Sequence, residues 1–281
     1  MGFTTRIFSH IKSGASTEKY YKSMNEALAR LNQEYTMLHY PYHVKNGESF
    51  FDAQKNLTDY CMSLLPPVGG KHILEIGCGN GIQANYILKK FSPASVTAID
   101  LNNSNIEIAR LEAQKDGIDN ISFHVDDAQR LASVETNSID YIINIESAFH
   151  YPDKPSFLRE IARVLKPGGT YLIADVLTTR RKRNLIKNYW KRRMNLHHWL
   201  KSNYEEELPK ANLKIDTFTD ITGGVIKSFS SYRHWLRTME KNNFIDDLLL
   251  KLYYTIHVRL NIHLLRNRRQ YCVIVGGKQA V

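Results

Sequence analysis

From Lys71 to Leu177 the chain alternates between short β-branched runs and longer stretches with helical periodicity. "HILEIG" reads as a strand, "IQANYILKKF" as a helix, "SVTAID" as a strand, "NSNIEIARLEAQKDG" as a helix closed by Gly117, and "ISFHVDD" as a strand. "IDYIINIE", "KPSFLREIARVL" and "GGTYLIADVL" continue the order, with "KPGG" as the turn before the fifth strand. Few arrangements satisfy this pattern: strands joined by helical crossovers lie parallel in one sheet with helices on its faces. Such sheets bind ligands beyond the carboxyl ends of their strands, so the loops after Ile76, Ile99, Val125 and Ile145 are expected to line one site.

The remaining chain fits around that core. Residues 18–38 have helical spacing, with Tyr21, Met24, Leu28, Leu31 and Tyr35 about a turn apart, and "NLTDYCMSLLP" forms a second helix stopped by Pro66 and Pro67. "LKIDTFTDIT" and "RRQYCVIVGG" read as strands six and seven, and Ser230 to Leu265 is helical by pattern. The predicted organisation is an N-terminal helical cap over 1–70, an α/β core over 71–178, a basic insertion over 179–211, and a segment over 212–281 that completes the sheet.

Composition narrows the context. Three scattered cysteines, Cys61, Cys78 and Cys272, form no CxxC pair, which argues against a disulfide framework or structural zinc and for a reduced, cytoplasmic protein. No apolar stretch reaches the roughly 18 residues of a membrane-spanning helix. The net charge of +10 is concentrated between Val176 and Tyr204, where Arg180, Arg181, Lys182, Arg183, Lys187, Lys191, Arg192, Arg193 and Lys201 stand with no acidic residue among them. That is a localised basic device and not a general polyanion-binding surface.

The turn after the first strand is "GCGNG", with Gly77, Gly79 and Gly81 between a buried strand and a helix. A dinucleotide fingerprint would place its third glycine at Ile82, so the spacing is GxGxG and does not favour NAD. Asp100 ends the next strand, where a carboxylate accepts both hydroxyls of a ribose. Glu75, an acid inside an apolar strand, needs a cationic or hydrogen-bonding partner and suggests a ligand with an amine.

Taken together, "LEIGCGNG", "AIDLN", "VDDAQRL" and "ARVLKPGGTYLIAD" resemble the successive motifs of the class I S-adenosylmethionine-dependent methyltransferases. The resemblance implies a Rossmann-like seven-stranded sheet, mostly parallel with the last strand antiparallel, beneath a helical cap and lid. It also implies that S-adenosylmethionine is the cofactor. Gly77, Gly79 and Gly81 would pack against its methionine moiety, Asp100 would bind the ribose hydroxyls, and Asp127 and Ala128 the adenine, with Glu75, Leu101 and Asn144 completing the site.

Methyl transfer from a sulfonium is an in-line displacement, so the protein aligns the acceptor and removes its proton. In "NIESAFHYPD" His150 is the candidate base, and Asp175 at the end of strand five is its candidate orienter. The pattern is similar to small-molecule O-methyltransferases in which the His of "ESxFH" pairs with such an Asp. The bland alternative is that both residues only cap loops, since related N- and C-methyltransferases carry a similar segment. Glu146 and Tyr151 are further candidates for substrate contact or loop support. "HYPYH" resembles the N-terminal segment that closes over the cofactor, with Tyr40 and Tyr42 placed to cover the sulfonium by cation–π contact.

In the basic segment, Leu185, Ile186, Tyr189, Trp190 and Leu196 recur at helical spacing. The composition suits a lid over a small-molecule acceptor, a peripheral membrane contact through 180–200, or an anion-binding surface. Nucleic acid is disfavoured: no separate nucleic-acid module and no N/D-PPY tetrapeptide is present. His197 and His198 are adjacent without a carboxylate, so no metal is expected there. A non-catalytic cofactor-binding or membrane-associated protein is the reading from another class.

Overall fold

The computed structural model describes residues 17–32, 34–42, 48–180, 195–229 and 244–279. Helices α1 (Thr17–Asn32) and α2 (Phe50–Ser63) precede β1 (His72–Ile76), α3 (Ile82–Phe91), β2 (Ser95–Asp100), α4 (Asn103–Lys115), β3 (Ile121–Val125) and β4 (Ile139–Ile145). A 3-10 turn over Ala148–His150, α5 (Lys154–Val164), β5 (Leu165–Thr178), α6 (Lys201–Lys210), β6 (Leu213–Asp220), a helical stretch over 222–229, α7 (Phe244–Asn267) and β7 (Arg269–Lys278) follow.

The strands form one seven-stranded sheet in the order β3-β2-β1-β4-β5-β7-β6. Strands β1 to β5 are mutually parallel where they pair, whereas β7 runs antiparallel to both β5 and β6. Strands apolar on both faces explain the layering. In β4, Tyr141, Ile143 and Ile145 face one core and Ile142 the other; in β7, Tyr271, Val273 and Val275 alternate likewise with Cys272 and Ile274. The first core lies under α2, α3, α4 and α7, and the second under α5 and α6.

Local chemistry sets the helix starts. Ser49 caps α2 by accepting from Asp52 N, Asn102 caps α4 through Ser104 N, and Asp153 caps α5 through Ser156 N. α3 starts instead at Gly81, in the left-handed region at φ +76°, with no side chain of its own to cap the helix; Ile82 N donates to Asn80 Oδ1 at 3.3 Å, and the N–H groups of Gln83 and Ala84 stay available at the glycine turn.

Two sequence expectations shift. The first helix ends at Asn32, and residues 34–42 run as irregular chain; there Thr36, Met37 and His39 bury themselves through backbone and side-chain bonds that compete with helix. "KPGG" is no turn before β5, because β5 begins at Leu165; the ladder passes from Ile139↔Leu165 to Tyr141↔Thr170, so Lys166–Gly169 bulges within the strand, helped by Gly168 at φ +77°. Residues 181–194, which carry Tyr189 and Trp190, lie outside the described residues. Among the described residues, no helix is long and apolar enough to cross a membrane.

Candidate functional site

The carboxyl ends of β1, β2 and β4 converge on the glycine turn. Asp100 Oδ2 accepts from Gly79 N at 2.9 Å, and Oδ1 accepts from Asn102 N at 2.8 Å and Asn105 Nδ2 at 3.3 Å. The carboxylate thus holds the turn against the start of α4, while burial keeps its pKa above the usual carboxylate value against those three hydrogen bonds.

The glycines differ in role. A Cβ on Gly77 would lie 2.3 Å from Ser147 Oγ, and one on Gly81 would lie 2.5 Å from the Ala109 methyl. At both positions neighbouring protein, not ligand, requires glycine, and each φ is positive (+75° and +76°). Gly79 is the one whose approach is covered only by Leu38 of the irregular segment, 3.1 Å from where a Cβ would stand.

A line of amides fastens α1 and that segment over the turn. Asn80 Nδ2 donates to Thr36 O (2.8 Å) and Asn25 Oδ1 (3.0 Å), and Asn25 Nδ2 donates to Asn105 Oδ1 (2.9 Å), next to Asp100. Below, Glu75 accepts from Gln83 Nε2 at 2.8 Å and leaves Oε2 buried without a partner; burial raises its pKa to about 8. Asn144 Nδ2 donates to Ile76 O (2.9 Å) and Ser147 Oγ (2.6 Å), and its Oδ1 is likewise buried and unpartnered.

On the side where the resemblance places the adenine, Asp127 Oδ1 accepts from Gln129 N and Nε2 at 2.9 and 3.0 Å, and Ala128 is buried. Leu101 is 72 % exposed just past Asp100, and Val125 is 46 % exposed at the end of β3, an unusual pair of bare apolar side chains flanking one edge of the site.

Glu146, directly after β4, holds the left-handed conformation at φ +53°, strained for a non-glycine residue. Its Oε1 accepts from Tyr40 N at 2.5 Å. The Tyr271 hydroxyl faces the same carboxylate without closing a well-formed hydrogen bond and is buried without a partner. Burial, outweighing the Tyr40 and Tyr271 contacts, pushes Glu146 up to about 8. Tyr40 also donates to Asn261 Oδ1 of α7 at 2.9 Å and packs edge-on against Phe229. Tyr21 of α1 reaches in between, with its hydroxyl 2.9 Å from His150 Nε2 and its ring edge-on to the imidazole, in the field of Glu146 and Asp100.

The expected pairing of His150 with Asp175 is not formed. Asp175 is fully buried, accepting from Tyr204 OH (2.8 Å) and from Val176 N (2.8 Å), with Lys154 as its neighbouring cation. Lys154, also fully buried, donates to His197 O and lies 5.3 Å from the Trp199 ring centre. The physical reason is the pleat: Asp175 and Cys272 are ladder partners on the face covered by α6, away from the cofactor turn.

Tyr42 is also placed elsewhere, packed on Tyr60 at 4.8 Å and against Gly224, so it does not cover the turn. Tyr151 braces it from beneath, donating to Ser147 Oγ at 2.8 Å. Sequence reasoning missed Asn25, Asn80, Tyr21 and Tyr271. Tyr21 showed only as one apolar position on a helix, and nothing in the spacing linked it to a residue 129 positions away.

Residues 68–242 match the family described as methyltransferase domain. The fatty-acid O-methyltransferase of Mycolicibacterium smegmatis is 42 % identical over 108 residues, covering 38 % of this chain and 38 % of its own. The methyltransferase GfsG of Streptomyces halstedii is 32 % identical over 161 residues, covering 56 % of each. The matched stretches thus span between two fifths and just over half of these relatives. Among solved structures, the [4+2]-cyclase SpnF shares the fold at a TM-score of 0.75 and 19 % identity, over 95 % of this chain and 98 % of its own.

The residues fit S-adenosylmethionine: orphaned acceptors on Glu75 and Asn144 suit an ammonium group, the N–H groups of Gln83 and Ala84 in the first turn of α3 a carboxylate, and Leu101 with Val125 an adenine face.

Proposed function

Because the chain belongs to the methyltransferase domain family, with the class I fold and S-adenosylmethionine as cofactor, we propose that it transfers a methyl group to a hydroxyl oxygen of a partly apolar or lipid-like small molecule. The cofactor supplies an electrophilic methyl carbon on a sulfonium. Asp100 would bind the ribose hydroxyls, Glu75, Asn144 and the first N–H groups of α3 the methionine end, and Leu101, Asp127 and Ala128 the adenine. Tyr40 and Leu38 of the irregular segment exclude water above the turn.

One observation carries the choice of hydroxyl chemistry. Glu146 is held in a strained backbone conformation that turns its carboxyl inward between Tyr40 and Tyr271, where burial raises its pKa to about 8. A carboxylate so destabilised is a strong base near neutral pH and suits removal of a hydroxyl proton as the oxygen attacks. The acceptor would lie between Glu146, Tyr271 and α7, a region lined by Phe229 and Tyr40. The likeness to a fatty-acid O-methyltransferase supports an apolar acceptor.

His150 is the second candidate base, because it stands three residues past the 3-10 turn's opening cap with Tyr21 on its Nε2. That contact occupies the ring nitrogen facing the site, and burial holds the Tyr21 phenol protonated. The test is turnover of Glu146→Gln and His150→Gln side by side on a panel of hydroxylated lipids. Loss confined to Glu146→Gln supports the assignment, loss confined to His150→Gln moves the base to the imidazole, and full activity of both removes hydroxyl deprotonation from the reaction.

A further inference from the structure

Arg269 begins β7 on the same strand face as Tyr271, the face that meets α7 and the irregular segment. It is half-buried, and the loss of water around its guanidinium lowers its pKa. A cation so withdrawn is costly unless an anion meets it. Among the described residues the ion pairs all lie elsewhere, and Arg269 makes no side-chain hydrogen bond there.

The rings around it supply no counter-charge. His198 gives its Nδ1 proton to Val176 O at 2.6 Å and stacks on Phe149 at 5.4 Å, and burial keeps the ring neutral, so its Nε2 is a lone pair and adds no charge. The Arg269 charge reaches this ring, as it does His257 and the Tyr40 hydroxyl. The Tyr271 hydroxyl faces the Glu146 carboxyl. Tyr40 lies between Glu146 and Arg269, pulled in opposite directions by the two charges, so the cation and the acid flank one tyrosine without pairing.

The sheet edge adds charge of the same sign. Thr178 is the ladder partner of Arg269, Thr179 N donates to Arg268 O at 3.0 Å, and Arg180 follows as the first residue of the basic segment.

We propose that Arg269 binds an oxyanionic group, carboxylate or phosphate, carried by the acceptor, which is therefore an anionic amphiphile and not a neutral alcohol. A guanidinium offers a planar fork of N–H donors that matches either oxyanion in bidentate fashion. The inference rests on the reading that this end of the sheet receives the methyl acceptor. It adds the acceptor's charge, and it places the anion across Tyr40 from Glu146, where the two negative groups do not meet.

The experiment is calorimetric titration of the full chain, loaded with S-adenosylhomocysteine, with dodecanoate, dodecyl phosphate and 1-dodecanol. At least one anion is expected to bind about tenfold or more tightly than the alcohol. Dodecanoate alone would identify a carboxylate head, and dodecyl phosphate alone a phosphate. Arg269→Gln should erase the preference while leaving dodecanol and S-adenosylhomocysteine affinity unchanged, and Arg269→Lys should retain part of it. Equal binding of alcohol and anions, an unchanged preference in Arg269→Gln, or no binding of either anion up to about 1 mM overturns the proposal. Failure of S-adenosylhomocysteine to bind the wild type would instead sink the methyltransferase reading.

Discussion

The two halves of the site are built differently. Around the cofactor turn, recognition comes from backbone and short side chains close in sequence: Gly79, Asp100, Asn102 and Asn105 are joined within one βαβ unit. Around the expected acceptor, Tyr40 meets Glu146 106 positions away and Asn261 221 positions away, and Tyr21 meets His150 across 129. One half is a local motif, and the other is an assembly of distant elements. A common cofactor can be held by the first while the second varies with the substrate.

The largest expected effect lies in the second half. Glu146→Gln should lower turnover by about 10²- to 10⁴-fold with cofactor affinity unchanged. The active form is the ionised carboxylate, so kcat/KM of the wild type should climb with pH and level off above about 8. A profile already flat from pH 6 would mean that Glu146 is not the base, and the functional half would need another centre.

Asp100→Ala tests the local half. It deletes the acceptor of the Gly79 and Asn102 N–H groups along with the ribose contact, and charge-assisted bonds of this kind contribute about 1.5–3 kcal/mol each. Affinity for S-adenosylhomocysteine should fall about 100-fold or more. A change of less than about threefold would show that the motif's carboxylate only shapes the turn.

Asp175→Asn separates structure from chemistry where sequence reasoning joined them. The carboxylate is fully buried beside Lys154 and Tyr204, and removing its charge leaves a buried cation unbalanced, a loss of about 3 kcal/mol. Urea unfolding should show that loss, while kcat of the folded fraction stays within about threefold. The reverse outcome, intact stability with a collapsed kcat, would restore the His150–Asp175 pair.

These contrasts show what was legible in the sequence. The seven strands, their order of appearance and the meeting of the glycine turn with Asp100 could be read because period and spacing are local properties. The unformed His150–Asp175 pair could not, because a strand face decides it: Asp175 and Val176 point to opposite layers, and only the pleat in register with Cys272 and Tyr271 says which. The irregular course of residues 34–42 was equally hidden. Helical spacing continues through Tyr35, but Asn80, Gln54 and Thr58 outbid the helix for that backbone and for the His39 ring.

Tyr21→Phe carries the smallest effect and sharpens the boundary between the halves, because α1 touches both. The change keeps the ring edge-on to His150 and removes one hydroxyl. A single hydrogen bond contributes about 0.5–1.5 kcal/mol, so turnover should fall by about three- to tenfold, with stability and cofactor affinity nearly unchanged. An unaltered kcat would make α1 a passive cover fastened by Asn25, and the acceptor half would then begin at Tyr40. A fall of 100-fold or more would mean that the hydroxyl tunes a working imidazole. His150 would then be the base and Glu146 its electrostatic neighbour, and the chemistry would depend on a residue contributed from before the α/β core begins.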